Sequence, residues 1–206
     1  MHAEVAIIDY SMGNLGSVKK KLDHIGVSSV ITSNHEQIKN SKKIILPGVG
    51  HFANGVKMLK EKNLWDFIKQ EVEQNNKPIL GICLGMQLMA KHSEEGNEHG
   101  FGWFDAEVIK FNIKDKLKYK VPHIGWNSVE IKKQDKIFEN IAMESGFYFV
   151  HAYHIVCNNK NDVIGESNYE YDFACAVRKN NIVGVQFHPE KSHEEGEKLL
   201  INFCNS

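Results

Sequence analysis

A cysteine lies between two glycines in the sequence Gly-Ile-Cys-Leu-Gly at residues 81–85, which is the spacing of a nucleophile elbow. The apolar residues 78–82 predict a buried strand before it, and residues 84–90 are rich in helix formers. Glycines suit the tight turn between strand and helix, where side chains would clash. At the N-terminus of a helix, the positive end of the dipole favours a thiolate at Cys83. The pattern predicts a cysteine that attacks a carbonyl carbon, with a buried core cysteine as the alternative.

A second pattern, Gly-Val-Gln-Phe-His-Pro-Glu at residues 184–190, supplies a base and an acid. His188 ends an apolar strand, and Glu190 follows in a segment that Pro189 predicts to be extended. Residues two apart on an extended chain lie on the same side, so Glu190 can reach one imidazole nitrogen and leave the other facing Cys83. The three residues then have the roles of nucleophile, base and orienting acid. A surface His and Glu beside a turn is the alternative. A metal site is not expected, because no third ligand stands at a familiar spacing.

A third pattern, Pro-Gly-Val-Gly at residues 47–50, follows another predicted strand. Gly48 and Gly50 allow backbone N–H groups to turn toward a pocket. With the amide of Leu84, they predict a pair of donors for a tetrahedral oxyanion. Gln87, one helical turn after the cysteine, is expected to face the same region. A plain Pro-Gly turn is the alternative, and a phosphate loop is disfavoured because the Gly-Lys-Ser/Thr ending is absent.

The elements that would position these residues alternate between strand and helix in the first half of the chain. Strands are predicted at 5–8, 29–31, 43–46 and 78–82, and helical spacing marks 15–25 and 64–72. From about residue 106 short strands dominate, at 106–111, 128–131, 147–151, 173–177 and 182–187. A last helix follows Ser192, which forms a predicted capping box with Glu195. The sequence predicts an α/β fold of one domain, 1–206, with a mostly parallel, helix-covered sheet and a β-rich second half.

The charge balance and the cysteine content of the chain exclude some classes of function. The chain has 206 residues, 42% hydrophobic and 25% charged, with a formal net charge of −1. This balance argues against an electrostatic nucleic-acid or membrane partner. The four cysteines lack paired spacing, and the N-terminus lacks a signal-peptide layout. Reduced thiols and a cytoplasmic location are therefore expected.

Taken together, residues 81–87 and 186–191 resemble the class I glutamine amidotransferases, the family with a Cys-His-Glu triad and a flavodoxin-like sheet. Within that family, four further stretches are similar to the HisH group, the glutaminase subunits of imidazole glycerol phosphate synthase. They are Asp-Tyr-Ser-Met-Gly-Asn-Leu at 9–15, Leu-Pro-Gly-Val-Gly at 46–50, Val-Pro-His-Ile-Gly-Trp-Asn at 121–127 and Tyr-Phe-Val-His-Ala-Tyr at 148–153. The resemblance runs from the first predicted strand to the last helix.

The resemblance implies that Cys83 attacks the side-chain amide of L-glutamine, giving a glutamyl thioester and ammonia without a cofactor. His188 then moves protons, and Glu190 orients it. Gly50 and Leu84 would supply the oxyanion amides. The other implied contacts to glutamine come from a short set of residues. These are Gly48, Gln87, Glu95, His151, Ala152 and Tyr153. Ala152 departs from the family, which commonly has a hydroxyl residue there.

The resemblance also implies a heterodimer in which ammonia passes to a (β/α)8-barrel cyclase subunit. That subunit makes imidazole glycerol phosphate and AICAR in histidine biosynthesis. Trp126, Tyr148 and Lys191 match positions expected near the partner, although the two aromatics suit a core equally well. Residues 100–106, Gly-Phe-Gly-Trp-Phe-Asp-Ala, resemble instead paralogues that supply ammonia for amidation of bacterial surface sugars. A free-standing cysteine hydrolase and a regulatory subunit without turnover are further alternatives.

Overall fold

A computed structural model describes residues 3–206. The strands are β1 (Val5–Ile8), β2 (Ser29–Thr32), β3 (Lys43–Gly48), β4 (Ile79–Cys83), β5 (His92–Ser93), β6 (Glu98–His99), β7 (Ala106–Lys110), β8 (His123–Ile131), β9 (Ser145–His151), β10 (Tyr153–Cys157), β11 (Val163–Tyr169), β12 (Tyr171–Lys179) and β13 (Ile182–Val185). The α-helices are α1 (Leu15–His24), α2 (His35–Asn40), α3 (Phe52–Glu61), α4 (Trp65–Glu73), α5 (Leu84–Gln87) and α6 (His193–Asn205).

The centre of the sheet is parallel, with neighbouring strands in the order β2-β1-β3-β4-β13. Strand β1 is buried along its whole length, as expected when helices cover both faces of a parallel sheet. One face packs against α3 and α4, and the other against α1 and α6. The predicted α/β architecture is confirmed. Because the strands are parallel, the carboxyl ends of β3 and β4 lie side by side.

The β-rich second half extends the same sheet with antiparallel strands. Strand β12 pairs antiparallel with β13, β11 and β10, and β8 pairs with β11 and β9. The hairpin of β8 and β9 places His123 opposite His151 and Trp126 opposite Tyr148. It brings one end of β9 to the carboxyl edge of the parallel strands. No helix of the described residues 3–206 has the length and apolar character needed to cross a membrane.

The predicted capping box at the start of α6 is wrong. The Ser192 hydroxyl makes no cap hydrogen bond to the helix. It donates to the carbonyl oxygen of His188 at 2.6 Å and accepts the N–H of Tyr148 at 3.0 Å. Glu195 pairs with Lys198 at 2.8 Å instead. Tertiary partners capture the hydroxyl, and in doing so they fix the segment that carries His188.

The helix after the cysteine is shorter than the sequence predicts. It ends at Gln87 after one turn, because the next carbonyl oxygens are used by another segment. The N–H of Phe101 donates to Leu88 at 2.7 Å, and the N–H of Gly102 donates to Ala90 at 3.0 Å. Helix dipoles add with length, so one turn gives the thiol at Cys83 less support than the sequence suggested.

Candidate active site

Cys83 is the last residue of β4 and has φ +54°, a left-handed conformation that is rare for a residue with a side chain. The flanking glycines are required by close approach. A Cβ at Gly85 would fall on the carbonyl oxygen of Leu46, and one at Gly81 would lie 2.7 Å from the backbone of Gly85. The turn predicted from the glycine spacing is therefore tight, and it holds the cysteine at the carboxyl edge of the sheet.

We expect Gly85→Ala to destabilise the fold strongly. The added methyl group meets backbone of β3, which cannot move without breaking the sheet, so the loss is about 3 kcal/mol or more. Gly16→Ala is the matched control, because Gly16 is exposed in α1 and its Cβ would meet nothing within 4 Å. Alanine in that helix is expected to add about 0.5–1 kcal/mol. Urea unfolding of both variants measures this, and equal stabilities would contradict the packing described for the elbow.

His188 and Glu190 are paired and almost fully buried. Nδ1 of His188 lies 2.8 Å from Oε1 of Glu190, and both side chains are 3% exposed. Glu190 stands in the 3-10 turn Pro189–Lys191 rather than in the extended segment that the sequence predicted, yet it still reaches the imidazole. A carboxylate oxygen only accepts, so Nδ1 carries the hydrogen. Nε2 has no hydrogen-bond partner within residues 3–206, which leaves it available to a substrate.

The electrostatic surroundings favour a charged His188. Burial alone lowers the pKa of this imidazole, but the Cys83 sulfur and the Glu190 carboxylate outweigh it and raise the pKa to about 9. His188 is therefore protonated at neutral pH when the thiolate is present. The protonated imidazole is held in place by the Glu190 carboxylate on its Nδ1 side.

A glutamine that the sequence left without a role contacts the cysteine. Nε2 of Gln186 donates to Sγ of Cys83 at 3.6 Å. Gln87 lies in the same region as predicted, but its amide nitrogen is used within the protein. It donates to Oε1 of Gln186 at 3.1 Å and to the carbonyl oxygen of Tyr153 at 3.0 Å. Gln186 is the one polar side chain in the apolar stretch 182–187, and this feature of the sequence could have identified it as a site residue.

The loop after β3 lies against the elbow. Gly48 pairs with Cys83 in the register of β3 and β4. A Cβ at Gly48 would collide with the hydroxyl of Tyr10 and lie 3.0 Å from Cβ of Leu84. Gly50 is exposed with φ +114°, a conformation that favours glycine. The structure thus places Gly48 and Leu84 beside the cysteine, with Gly50 two residues further along the loop.

Tyr10 is a buried neighbour that the sequence did not single out. Its side chain is fully buried, and its hydroxyl has no hydrogen-bond partner in the described part of the chain. Burial and the nearby Cys83 sulfur raise the pKa of this hydroxyl well above its usual range. Tyr10 therefore stays neutral and packs beneath Gly48. Its position in the Asp-Tyr-Ser-Met-Gly-Asn-Leu stretch gave no sign of this contact.

The remaining predicted glutamine contacts surround the same edge. The Glu95 carboxylate accepts the N–H of Phe52 at 2.8 Å, which caps α3 just after the glycine loop. His151 ends β9 and Tyr153 begins β10, with Ala152 between them. The carbonyl oxygen of Ala152 accepts the N–H of Phe111 at 3.0 Å, so this backbone is anchored.

Trp126, Tyr148 and Lys191, the residues predicted near a partner, form a surface beside the site together with the exposed Ile124. We call these four residues the aromatic patch. Trp126 is 50% exposed and Ile124 60% exposed, so Trp126 is not a core residue. The ring of Trp126 meets that of Tyr148 edge-on at 6.2 Å, and Nζ of Lys191 lies 5.5 Å from the Tyr148 ring centre. The carbonyl oxygen of Tyr148 accepts the N–H of His188 at 2.8 Å, which links the patch to the candidate base.

The family profile described as glutamine amidotransferase class-I matches residues 6–205. The chain belongs to the class I glutamine amidotransferase family. Among curated proteins it is 47% identical to imidazole glycerol phosphate synthase subunit HisH 2 of Methanococcus maripaludis, covering 97% of this chain and 98% of that protein. It is 45% identical to the HisH subunit of Sulfurimonas denitrificans over 97% and 96% of the two chains. HisH 2 of Pseudomonas aeruginosa is 40% identical over 97% and 98%.

Solved structures support the same fold. A crystal structure of a glutamine amidotransferase superposes with a TM-score of 0.73 at 19% identity, covering 98% of this chain and 97% of that one. The structure of PurLQS from Thermotoga maritima gives a TM-score of 0.76 at 16% identity, covering 100% and 99%. These likenesses concern the fold alone.

Proposed function

We propose that this protein is the glutaminase subunit of an imidazole glycerol phosphate synthase in histidine biosynthesis. It hydrolyses L-glutamine and passes the ammonia to a (β/α)8-barrel cyclase subunit. The observation that carries the proposal is a paired His188 and Glu190 beside an elbow cysteine, in a chain 40–47% identical to HisH subunits over nearly its full length. The names of these relatives favour the histidine pathway over amidation of surface sugars.

In the first half of the reaction, the Cys83 thiolate attacks the side-chain carbonyl carbon of glutamine. The carbon–sulfur bond forms, and the negative charge moves to the carbonyl oxygen. Backbone N–H groups of Leu84 and Gly50 would stabilise that oxyanion. His188 donates the proton on Nε2 to the leaving nitrogen, the carbon–nitrogen bond breaks, and ammonia leaves a glutamyl thioester.

In the second half, water attacks the thioester carbon. Nε2 of His188, now neutral, accepts the proton of the water. The carbon–sulfur bond breaks, and the product leaves with a side-chain carboxyl group that loses its proton to solvent, so glutamate forms and the thiolate–imidazolium pair returns. The Glu190 carboxylate keeps the hydrogen on Nδ1 throughout, so Nε2 is always the nitrogen that exchanges protons.

The raised pKa of His188 predicts where activity falls with pH. The imidazolium is the acid for the leaving nitrogen, and it is lost as the pH rises through about 9. We expect kcat/KM for glutamine to decline above that pH. Glu190→Gln removes a charge that raises the pKa, so the decline should begin at lower pH. A pH profile of the wild type and the variant, measured with the partner subunit, tests this. An unchanged alkaline limb in the variant would contradict it.

The aromatic patch is the proposed contact with the barrel subunit. The exposed Trp126 and the half-buried Tyr148 suit the centre of a protein interface, and Lys191 suits its polar rim. Tyr148 also holds the backbone of His188, so partner contact at the patch is adjacent to the site. Glutaminase activity is expected to be poor without the partner, because the oxyanion amides would align only in the complex.

The test uses glutamine labelled with nitrogen-15 in its side-chain amide. Incubated with the barrel cyclase of the same genome and its substrate, the protein should transfer the label into imidazole glycerol phosphate. Without the cyclase, release of labelled ammonia should be much slower. Fast hydrolysis without a partner would support a free-standing hydrolase. Hydrolysis with the cyclase but no label in the imidazole product would exclude the histidine pathway.

A further inference from the structure

Three buried histidines take no part in the chemistry proposed above. His123, His151 and His154 lie around Phe111 and Phe173, with ring centres 4.7–6.3 Å from these phenylalanines. No group in residues 3–206 combines three or more potential metal ligands in a metal-binding arrangement. Two of the histidines contact each other, and their hydrogen bonds lead toward the nucleophile.

The hydrogen bonds of this pair determine both tautomers. Nδ1 of His151 lies 2.8 Å from the carbonyl oxygen of Tyr153, which only accepts, so Nδ1 carries the hydrogen. In the neutral ring Nε2 of His151 must then accept, and its partner is Nδ1 of His123 at 3.2 Å. His123 therefore carries its hydrogen on Nδ1. Its Nε2 faces the amide nitrogen of Asn127 at 3.4 Å, which donates.

Both rings stay neutral, as this arrangement requires. Burial lowers the pKa of His123 to about 4 and that of His151 to about 3. A protonated His151 would present a hydrogen from Nε2 toward the donor of His123. Burial therefore keeps both rings neutral at neutral pH, so that Nδ1 of His123 remains the donor and Nε2 of His151 remains the acceptor.

The carbonyl oxygen of Tyr153 joins the pair to the candidate site. It accepts both Nδ1–H of His151 and an amide hydrogen of Gln87. Gln87 in turn donates to Gln186, which donates to Sγ of Cys83. One continuous set of hydrogen bonds therefore runs from His123 to the cysteine, through the carbonyl oxygen of Tyr153, the first residue of β10.

We propose that His123 is a positioning residue for the glutamine site, a role that rests on the glutaminase activity proposed above. By donating to Nε2 of His151, it holds the tautomer in which His151 fixes the Tyr153 carbonyl. That carbonyl sets the position of Gln87 and of the segment from His151 to Tyr153. Loss of the donor lets the His151 ring change tautomer, which frees the carbonyl and loosens glutamine binding.

The test compares three variants in the complex with the barrel subunit. His123→Leu keeps a bulky side chain in the buried position but removes the donor. KM for glutamine should then rise about tenfold, with kcat much less changed. His123→Asn places an amide N–H near the position of Nδ1 and should restore most of the affinity. His154→Leu is the matched control. His154 and His123 are equally buried, at 3% exposed, but His154 bonds the Tyr171 hydroxyl at 3.0 Å and no residue of the site.

A direct reading of the tautomers accompanies the kinetics. Nitrogen-15 chemical shifts of the imidazole rings in the wild-type protein should show hydrogen on Nδ1 of both His123 and His151. His123→Leu should move His151 toward a mixture of tautomers, whereas His154→Leu should leave it unchanged. This measurement needs no enzymatic activity.

Two results would overturn the positioning role. One is hydrogen on Nε2 of His151 in the wild type. The other is an equal change of KM in His123→Leu and His154→Leu, which would indicate loss of packing alone. Failure of the proposed function looks different, because the wild-type complex would then hydrolyse no glutamine at all while the tautomers stayed as predicted.

Discussion

Replacing Cys83 with alanine is expected to abolish glutamine-dependent synthesis by the two-subunit enzyme and to leave synthesis from ammonium salts intact. The sulfur forms the bond to the substrate carbon, so its loss should lower the glutamine-dependent rate on the order of 10⁴-fold or more. Ammonia supplied from solution does not need the thioester. Both rates are measured in the same complex, with the cyclase substrate saturating.

Cys204→Ala is the control for this variant. Cys204 is also buried, in α6, and burial raises the pKa of its thiol to about 11, so it remains an unreactive thiol. Its replacement should leave both rates near those of the wild type. If the Cys83→Ala complex still used glutamine at the normal rate, the elbow cysteine would not be the nucleophile.

His188→Asn is expected to have the second largest effect, a fall in glutamine-dependent kcat of about 10²–10⁴-fold. Asparagine keeps an amide donor near the position of Nδ1 but has nothing to replace Nε2, which takes and gives the protons. The Glu190 carboxylate, buried with the imidazole, would therefore retain a hydrogen-bond donor, and the fold should persist. Steady-state kinetics and thermal unfolding of the same preparation separate the two effects.

His24→Asn is the control for the histidine variant, because its side chain is 71% exposed on α1, away from the site. It should match the wild type in rate and in thermal stability. A His188→Asn complex with normal glutamine turnover would remove the base from the mechanism. A variant that lost stability as well as rate would show that the buried pair with Glu190 holds the fold, and the kinetic loss would then not count as catalytic.

The local parts of the site could be predicted from the sequence because short patterns encode them. Gly81 reflects a backbone contact within one strand–turn–helix unit, whereas Gly85 lies against Leu46 of the neighbouring strand β3. His188 and Glu190 are two residues apart, so their pairing needs no knowledge of the rest of the chain. The strand alternation of the first half similarly predicted the parallel centre of the sheet.

The sequence-based predictions failed where groups from other elements make hydrogen bonds that neighbouring residues were expected to make. Serine is a residue type that often caps helices, but the Ser192 hydroxyl donates to the carbonyl oxygen of His188 and accepts the N–H of Tyr148. Helix α3, absent from the predicted elements, has no capping side chain of its own and is capped by Glu95, 43 positions along the chain. The hydrophobic periodicity of the sequence predicts neither contact.

The residues behind the site could not be found from spacing at all. Gln186 reaches Cys83 across a separation of 103 residues, and His123 meets His151 across 28. Such pairs depend on which strands become neighbours, and buried histidines and glutamines carry no periodic signal. Tyr10 is a similar case, since its contact with Gly48 depends on the packing of the loops after β1 and β3.

Trapping the glutamyl thioester tests the central claim most directly. The complex is quenched with acid during turnover of glutamine, digested and examined by mass spectrometry. The account predicts a glutamyl adduct on the peptide that contains Cys83, none on the peptides of Cys157, Cys175 or Cys204, and none at all in Cys83→Ala. An adduct on a cysteine other than Cys83 would contradict this prediction. Turnover of glutamine with no adduct on any peptide, in the wild type or in Glu190→Gln, would contradict it as well.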